Sequence, residues 1–98
     1  MKTSEKVLRW AKARGLDDPN LFQAQAMKIS EELGETFSAI LKGKREEEID
    51  GFGDLLVTIE ILALQRGVNL EEAYESAYQT IKDRKGKMVN GSFIKDEH

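Results

Sequence analysis

Cysteine is absent from this chain of 98 residues, and proline and histidine each occur once. Without a thiol the protein has no disulfide, no zinc–thiolate site and no cysteine nucleophile. Proline interrupts helix interiors, so a single proline leaves most of the chain free to be helical. Together with an ordinary apolar fraction of 40%, this favours a folded, helix-rich protein.

A long apolar run and an excess of basic residues are also missing. No stretch of eighteen apolar residues occurs and no apolar segment opens the chain, so we expect a soluble cytoplasmic protein with no membrane partner. The formal net charge of −3 argues against binding a nucleic acid polymer, although a nucleotide needs only local positive charge. The length allows one domain, residues 1–98, with a core small enough that an oligomer is expected.

Helical periodicity runs through most of the chain, and no sustained strand alternation appears before Lys85. The apolar spacing and the capping residues predict helices from Ser4 to Arg14, Asn20 to Lys42, Arg45 to Gly67 and Leu70 to Arg84. The expected fold is all-α, an antiparallel four-helix arrangement. A short C-terminal tail, irregular or a hairpin around Asn90-Gly91, should follow it.

The second half of the third predicted helix, Leu55 to Leu64, is apolar nearly all round. A helix with so wide an apolar surface is buried on several sides. In so small a protein this indicates that a second subunit covers part of it. A dimer is therefore the smallest assembly that we expect.

Acidic residues occur in two groups, on the second and third predicted helices. Glu32 and Glu35 share one helix face, and Glu47, Asp50 and Asp54 share another. Two antiparallel helices can bring these carboxylates together, which is costly unless a cation neutralises them. An all-oxygen site of this kind suits Mg²⁺, for which Mn²⁺ can substitute, and indicates an enzyme acting on phosphates.

A solvated helix face is the alternative explanation for any such acidic group. It is the better one for Glu46 and Glu48, because acidic side chains near a helix start complement the helix dipole. Gly34, Gly51 and Gly53 argue against it elsewhere. They are poor helix formers, and their presence among the acids predicts that another backbone, side chain or ligand approaches closely.

The pattern resembles the MazG-like all-α nucleoside triphosphate pyrophosphohydrolases of the small phage and bacterial type. Glu31-Glu32-Leu33-Gly34-Glu35 matches the Glu-Glu-x-x-Glu of that family, and Asp50 to Val57 resembles its Glu-x-x-Asp followed by an apolar run. Trp10 to Gly15 and Arg84 to Phe93 are similar too. If Asp54 takes the family's Asp position, Gly51 stands where Glu is expected; Asp50 or Glu47 would then supply the other ligand.

The resemblance implies hydrolysis of an NTP or dNTP to the monophosphate and pyrophosphate, with a metal-activated water attacking the α-phosphorus. It implies Glu32, Glu35, Asp50 and Asp54 as Mg²⁺ ligands. Glu31 or Glu35 would serve as general base. It also favours a homodimer or a dimer of dimers.

Substrate contacts are expected from cations and from side chains that can read a base. Lys28, Arg84 and Lys87 are candidates for the phosphates, although Lys28 could equally form an intrahelical ion pair with Glu32. Trp10 could stack on a base and Gln25 could bond to its edge, whereas a lone Trp is more often core packing. The segment 88–95 could fold across the site of a neighbouring subunit.

Two other functions stay open. A non-catalytic helical interaction module would use the third helix as a dimer seam and leave the acids solvated. A metal-dependent hydrolase of another nucleotide-like diphosphate would bind metal but yield different products. A di-iron bundle is disfavoured, since His98 is the only His, and a helix-turn-helix lacks a basic recognition helix.

Overall fold

The computed structural model describes residues 2–96 and is mostly helical. A 3-10 turn, Pro19–Leu21, leads into the second of four helices, and a two-stranded sheet closes the described chain. The elements are α1 (Thr3–Ala13), α2 (Phe22–Leu41), α3 (Arg45–Gln65), α4 (Leu70–Ile81), β1 (Gly86–Val89) and β2 (Ser92–Lys95). The first three helices lie close to their predicted bounds, whereas α4 ends at Ile81 rather than at Arg84. No described helix is long and apolar enough to cross a membrane.

Local sequence explains where the helices begin and end. Asp18 Oδ1 accepts a hydrogen bond from Asn20 N at 2.9 Å, and Asn69 Oδ1 accepts one from Glu72 N at 3.0 Å, so each side chain caps a helix start. Gly43, with φ of 68°, adopts the left-handed conformation that ends α2 and allows α3 to begin two residues later. This tight link makes α2 and α3 an antiparallel pair.

The packed body consists of α1, α2 and α3. α3 contacts both of the other helices, and the buried apolar side chains are the small core Ala11, Ala39, Ile61 and Ala63. α2 and α3 approach closely at Gly51, where a Cβ atom would lie 2.3 Å from Thr36 Oγ1. The predicted close approach is thus confirmed at Gly51. At Gly34 and Gly53 a Cβ atom would meet nothing within 4 Å, so no other part of the described chain approaches there, and approach of a ligand stays a prediction.

α4 departs from the predicted four-helix arrangement because it makes no substantial packing contact with α1, α2 or α3. Every residue from 71 to 81 is exposed. The Cα radius of gyration is 16.4 Å, against about 13 Å for a compact domain of this length. The body of one chain is therefore a three-helix unit from which α4 and the sheet extend.

The tail is a β-hairpin, which confirms one of the two predicted forms. β1 pairs antiparallel with β2, with Val89 opposite Ser92 and Gly86 opposite Lys95. The two-residue turn between them is Asn90-Gly91, with φ of 51° and 81°, as the turn type favoured by Asn-Gly requires. All eight strand residues are exposed.

Candidate functional site

A cleft of about 360 Å³ lies between α2 and α3, beside the short link that joins them. Five carboxylate side chains line it, together with two lysines of the link and small residues of both helices. The lining residues are Glu32, Glu35, Thr36, Ser38, Ala39, Lys42, Lys44, Glu47, Asp50, Gly51 and Asp54. The structure therefore brings together all four predicted metal ligands. We call this the acidic cleft.

Helix geometry and one tight contact place these carboxylates. Glu32 and Glu35 lie one turn apart on α2, and Asp50 and Asp54 lie one turn apart on α3. Between them Thr36 is 2% exposed, and its Oγ1 donates a hydrogen bond to Glu32 O at 2.7 Å. Because Thr36 packs on the bare backbone of Gly51, the two acidic helix faces meet across the same cleft.

The four predicted ligands have no polar side-chain partner among the residues that the structure describes. Among residues 2–96, the carboxylates of Glu32, Glu35, Asp50 and Asp54 accept no hydrogen bond and form no ion pair. Over the same residues, no three Asp, Glu, Cys or His side chains converge closely enough to hold one ion.

The other acidic residues near these four differ in whether they line the acidic cleft. Glu31 lines neither this cleft nor the one described below, because neighbouring helix positions point about 100° apart. Glu47 does line the acidic cleft, where Lys44 Nζ lies 3.9 Å from its Oε1. Glu48 instead pairs with Arg45 in the first turn of α3, and its side chain is only 17% exposed, so the predicted solvated position is wrong for Glu48.

Gly51 explains how this chain departs from the family pattern. A glutamate at this position would drive its Cβ atom into Thr36, whose three side-chain heavy atoms lie within 3.1 Å of that point. Asp50, one position earlier, lines the cleft without that conflict. Asp50 and Glu47, the two candidates for the second α3 ligand, therefore both lie in the cleft with Asp54.

Lys42 and Lys44 are cleft residues that sequence reasoning missed. Both belong to the link between α2 and α3. The sequence did contain a signal for them. Two lysines flank the glycine that ends α2, and residues of so short a link must lie beside the ends of both helices. They add positive charge at one side of the acidic cleft.

A second cleft of about 280 Å³ adjoins the first and contains three of the predicted substrate contacts. Its lining residues are Trp10, Leu16, Gln25, Lys28, Glu32, Asp54, Val57, Thr58 and Ile61. Glu32 and Asp54 line both clefts, so the two are neighbours. We call this one the Trp10 cleft.

The side chains of the Trp10 cleft are partly held in place. Trp10 is 47% exposed, not a core residue, and the Arg14 guanidinium carbon lies 4.2 Å from the centroid of its ring. Gln25 Nε2 donates a hydrogen bond to Thr58 O at 3.0 Å, which leaves Gln25 Oε1 as an acceptor. Lys28 forms no ion pair with any described residue, so the predicted alternative of a pair with Glu32 is not observed.

Arg84 and Lys87 line neither cleft. They follow α4, in the part of the chain that extends from the three-helix body. A single chain thus brings Lys28 to the site but not these two predicted phosphate contacts.

Comparison with known proteins identifies the family. The sequence profile described as phosphoribosyl-ATP pyrophosphohydrolase matches residues 10–80, a range that contains every residue of both clefts. Over 65 residues the chain is 34% identical to an uncharacterized 18.2 kDa protein in the rep-hol intergenic region of Haemophilus phage HP1 (strain HP1c1). That alignment covers 66% of this chain and 40% of the phage protein. No solved structure matches.

The matched family is part of the MazG-like all-α pyrophosphohydrolase superfamily, which agrees with the resemblance at superfamily level; the specific MazG-like type is not what the profile matches. With a matching profile over most of the chain and both clefts inside the match, the chain belongs to the phosphoribosyl-ATP pyrophosphohydrolase family.

Proposed function

We propose that this protein is a Mg²⁺-dependent pyrophosphohydrolase that cleaves a nucleoside triphosphate to the monophosphate and pyrophosphate. Family membership implies a pyrophosphohydrolase, a hydrolase of acid anhydrides. The observation that carries the finer proposal is that the two clefts are neighbours with shared lining residues. A surface with five carboxylates adjoins one with an indole ring, an amide and an ammonium group, and Glu32 and Asp54 belong to both.

The chemistry of the donor set fits Mg²⁺. The acidic cleft offers carboxylate oxygens with no sulfur or imidazole ligand, and four of the carboxylates have no partner within residues 2–96. We assign Glu32, Glu35, Asp50 and Asp54 as the residues that would hold the ion, with Glu47 beside them. When bound, Mg²⁺ would neutralise phosphate charge and favour ionisation of water.

The protein's own groups have defined tasks in the proposed reaction. A water oxygen forms the new bond to the α-phosphorus, the bond from that phosphorus to the bridging oxygen breaks, and pyrophosphate leaves with that oxygen. Glu35 accepts the proton of the attacking water, because it lines the cleft and Glu31 does not. Lys42 and Lys44 lie in the same cleft, where their charges would favour the departing pyrophosphate.

The Trp10 cleft would hold the nucleoside. The exposed indole offers a face for stacking, and Leu16, Val57 and Ile61 supply apolar contact. Gln25 is fixed through its Nε2, so its Oε1 would accept from a base or sugar donor. Lys28 lines the Trp10 cleft one helical turn before Glu32, which lines both clefts, so its ammonium group would reach the phosphates.

Two substrate types are consistent with this arrangement. The family is named for phosphoribosyl-ATP, an ATP derivative whose cleavage to pyrophosphate breaks the same bond as in a plain triphosphate. Standard ribo- and deoxyribonucleoside triphosphates are the other type. The clefts support a nucleotide with a triphosphate chain. The assay would determine which base and sugar are preferred and whether a phosphoribosyl group is required.

The test is a panel of nucleoside triphosphates and phosphoribosyl-ATP, incubated with Mg²⁺ or with EDTA, with all phosphate products resolved. We expect metal-dependent monophosphate (or phosphoribosyl-AMP) and pyrophosphate. Glu35→Gln and Asp54→Asn should lower kcat at least a hundredfold, whereas Glu46→Gln, an exposed α3 carboxylate outside both clefts, should retain activity.

Other products would contradict the proposal in distinguishable ways. Diphosphate with orthophosphate would retain a metal-dependent hydrolase but overturn the assigned bond. If no nucleotide is turned over and Mg²⁺ does not raise the melting temperature, the acids are a solvated surface and an interaction module becomes the better explanation.

A further inference from the structure

Each of the two helices that form the acidic cleft contains one threonine, and both threonines are buried. Thr36 of α2 is 2% exposed, and Thr58 of α3 is 5% exposed. Thr36 Oγ1 donates a hydrogen bond to Glu32 O at 2.7 Å. Thr58 Oγ1 donates one that is shared between Asp54 O, at 3.0 Å, and Leu55 O, at 2.9 Å. Each hydroxyl therefore bonds to the main chain of a cleft carboxylate that lies one helical turn before it.

The carboxylates held in this way are the two that both clefts have in common. Glu32 and Asp54 line the acidic cleft and the Trp10 cleft, whereas the other three carboxylates line the acidic cleft alone. Four positions after those three, the chain has Ala39, Gly51 and Asp54, none of which carries a hydroxyl. The buried threonines thus accompany only the carboxylates at the boundary between the clefts.

Helix stability does not account for these two hydroxyl bonds. In an α-helix each carbonyl already accepts the N–H four residues later, so the carbonyls of Glu32 and Asp54 need no second donor. A threonine that bonds back to the carbonyl four residues earlier slightly destabilises a helix and often bends it. Valine has nearly the same shape as threonine and buries no polar group. What the hydroxyls do provide is a second fixed bond on the main chain of each shared carboxylate.

Thr58 forms hydrogen bonds toward both clefts. Its carbonyl accepts a hydrogen bond from Gln25 Nε2 at 3.0 Å, and its hydroxyl donates to Asp54 O. Gln25 lines the Trp10 cleft, and Asp54 lines both clefts. One buried residue therefore connects an amide assigned to the nucleoside with a carboxylate assigned to the metal.

We propose that Thr36 and Thr58 are positioning residues that hold the main chain of Glu32 and Asp54, so that both carboxylates are placed for a divalent cation beside the nucleoside. The inference rests on the proposed function, because that function assigns the two carboxylates to Mg²⁺. Neither threonine contacts the reacting atoms in this role, since each acts through the carboxylate one turn before it. Removing a group that orients a metal ligand lowers metal affinity or activity by about ten- to a hundredfold.

The test at Thr58 separates its hydroxyl from its shape. Thr58→Val removes the hydroxyl and keeps the branched side chain, whereas Thr58→Ser keeps the hydroxyl. We expect Thr58→Val to weaken Mn²⁺ binding, measured by electron paramagnetic resonance without nucleotide, by about tenfold. At saturating Mg²⁺ its kcat should fall about tenfold with a smaller change in KM. Tm should change by less than about 5 °C, because both carbonyls stay paired within the helix, and Thr58→Ser should restore metal affinity and kcat.

At Thr36 the hydroxyl is tested by comparing Thr36→Ser with Thr36→Ala, which differ by that group alone. Valine is avoided there, because its larger methyl would replace an Oγ1 that lies close against Gly51. We expect the alanine variant to bind Mn²⁺ about tenfold more weakly than the serine variant.

Thr80→Val is the matched control. Thr80 Oγ1 makes the same kind of bond, to Ser76 O at 3.2 Å, but it is exposed on α4 and lines neither cleft. This variant should keep wild-type Mn²⁺ affinity and kcat.

Several results would overturn the proposal. Wild-type Mn²⁺ affinity and kcat in Thr58→Val contradict it, as does a loss that Thr58→Ser does not restore, because packing would then be responsible. A rise in KM without a fall in kcat would assign Thr58 to the nucleoside instead.

Failure of the proposed function gives a different result. Wild-type protein that binds Mn²⁺ but cleaves no nucleotide contradicts that function, and the positioning role is then judged by the Mn²⁺ affinities. Wild-type protein that neither binds Mn²⁺ nor cleaves a nucleotide contradicts both.

Discussion

Gly51→Ala probes the contact that holds the two acidic helix faces together. The added Cβ atom would lie 2.3 Å from Thr36 Oγ1, 3.0 Å from its Cβ and 3.1 Å from its Cγ2. Thr36 has little room to move, because it is 2% exposed and its hydroxyl donates to Glu32 O at 2.7 Å. The substitution must therefore turn the threonine or part α2 from α3.

The expected cost follows from three opposing effects. Overpacking a tight contact costs about 1–3 kcal/mol, and loss of the Thr36 hydrogen bond costs about 1 kcal/mol more. Replacing a helical glycine with alanine returns about 1 kcal/mol through helix propensity. The free energy of unfolding should fall by about 1–3 kcal/mol, which for a domain of this size lowers Tm by about 5–20 °C.

Thermal and urea unfolding would measure the effect against Gly53→Ala. A Cβ atom at Gly53 would meet nothing within 4 Å, so that variant should gain up to about 1 kcal/mol. Thr36→Ala together with Gly51→Ala should recover part of the loss, with a coupling energy above about 0.5 kcal/mol. If Gly51→Ala is as stable as Gly53→Ala, α2 and α3 are not held by this contact, and our account of how the acidic faces meet is wrong.

Three further outcomes are expected. Trp10→Ala should raise KM for a nucleoside triphosphate about tenfold with a smaller change in kcat, because it removes a stacking surface. An unchanged KM in steady-state kinetics would show that the base does not bind in the Trp10 cleft. Lys42→Ala should weaken inhibition by added pyrophosphate several-fold, since it removes a charge from the acidic cleft, and an unaltered inhibition constant would contradict that role. Asn69→Ala should cost the start of α4 about 1 kcal/mol, seen as faster amide exchange in residues 70–75 and not in α3; equal protection in the variant would show that the cap contributes nothing.

Much of the fold could be read from local patterns. Caps at Asp18 and Asn69 and a stop at Gly43 act within a few residues, so the sequence reveals them directly. The Asn90-Gly91 turn is equally local. The end of α4 was predicted three residues late. Helix ends fray, and no packing contact holds the end of α4 in the described chain.

The site was predictable in its residue types and only partly in its members. Spacing along a helix fixes which carboxylates share a face, so Glu32, Glu35, Asp50 and Asp54 could be grouped before their positions were known. The general base was left open between Glu31 and Glu35. That choice depends on which face of α2 meets α3, and the structure places Glu31 outside both clefts.

Helix bounds, the carboxylate faces and the hairpin turn were determined by the sequence itself, because each depends on residues a turn or less apart. Only the tertiary structure showed which of three similar glycines packs against a side chain of another helix and which lysines line the acidic cleft. It also showed that α4 does not pack on the other three helices. These features depend on contacts between residues distant in the chain. Local patterns show which side chains share a helix face, but they do not show which surface that face will contact.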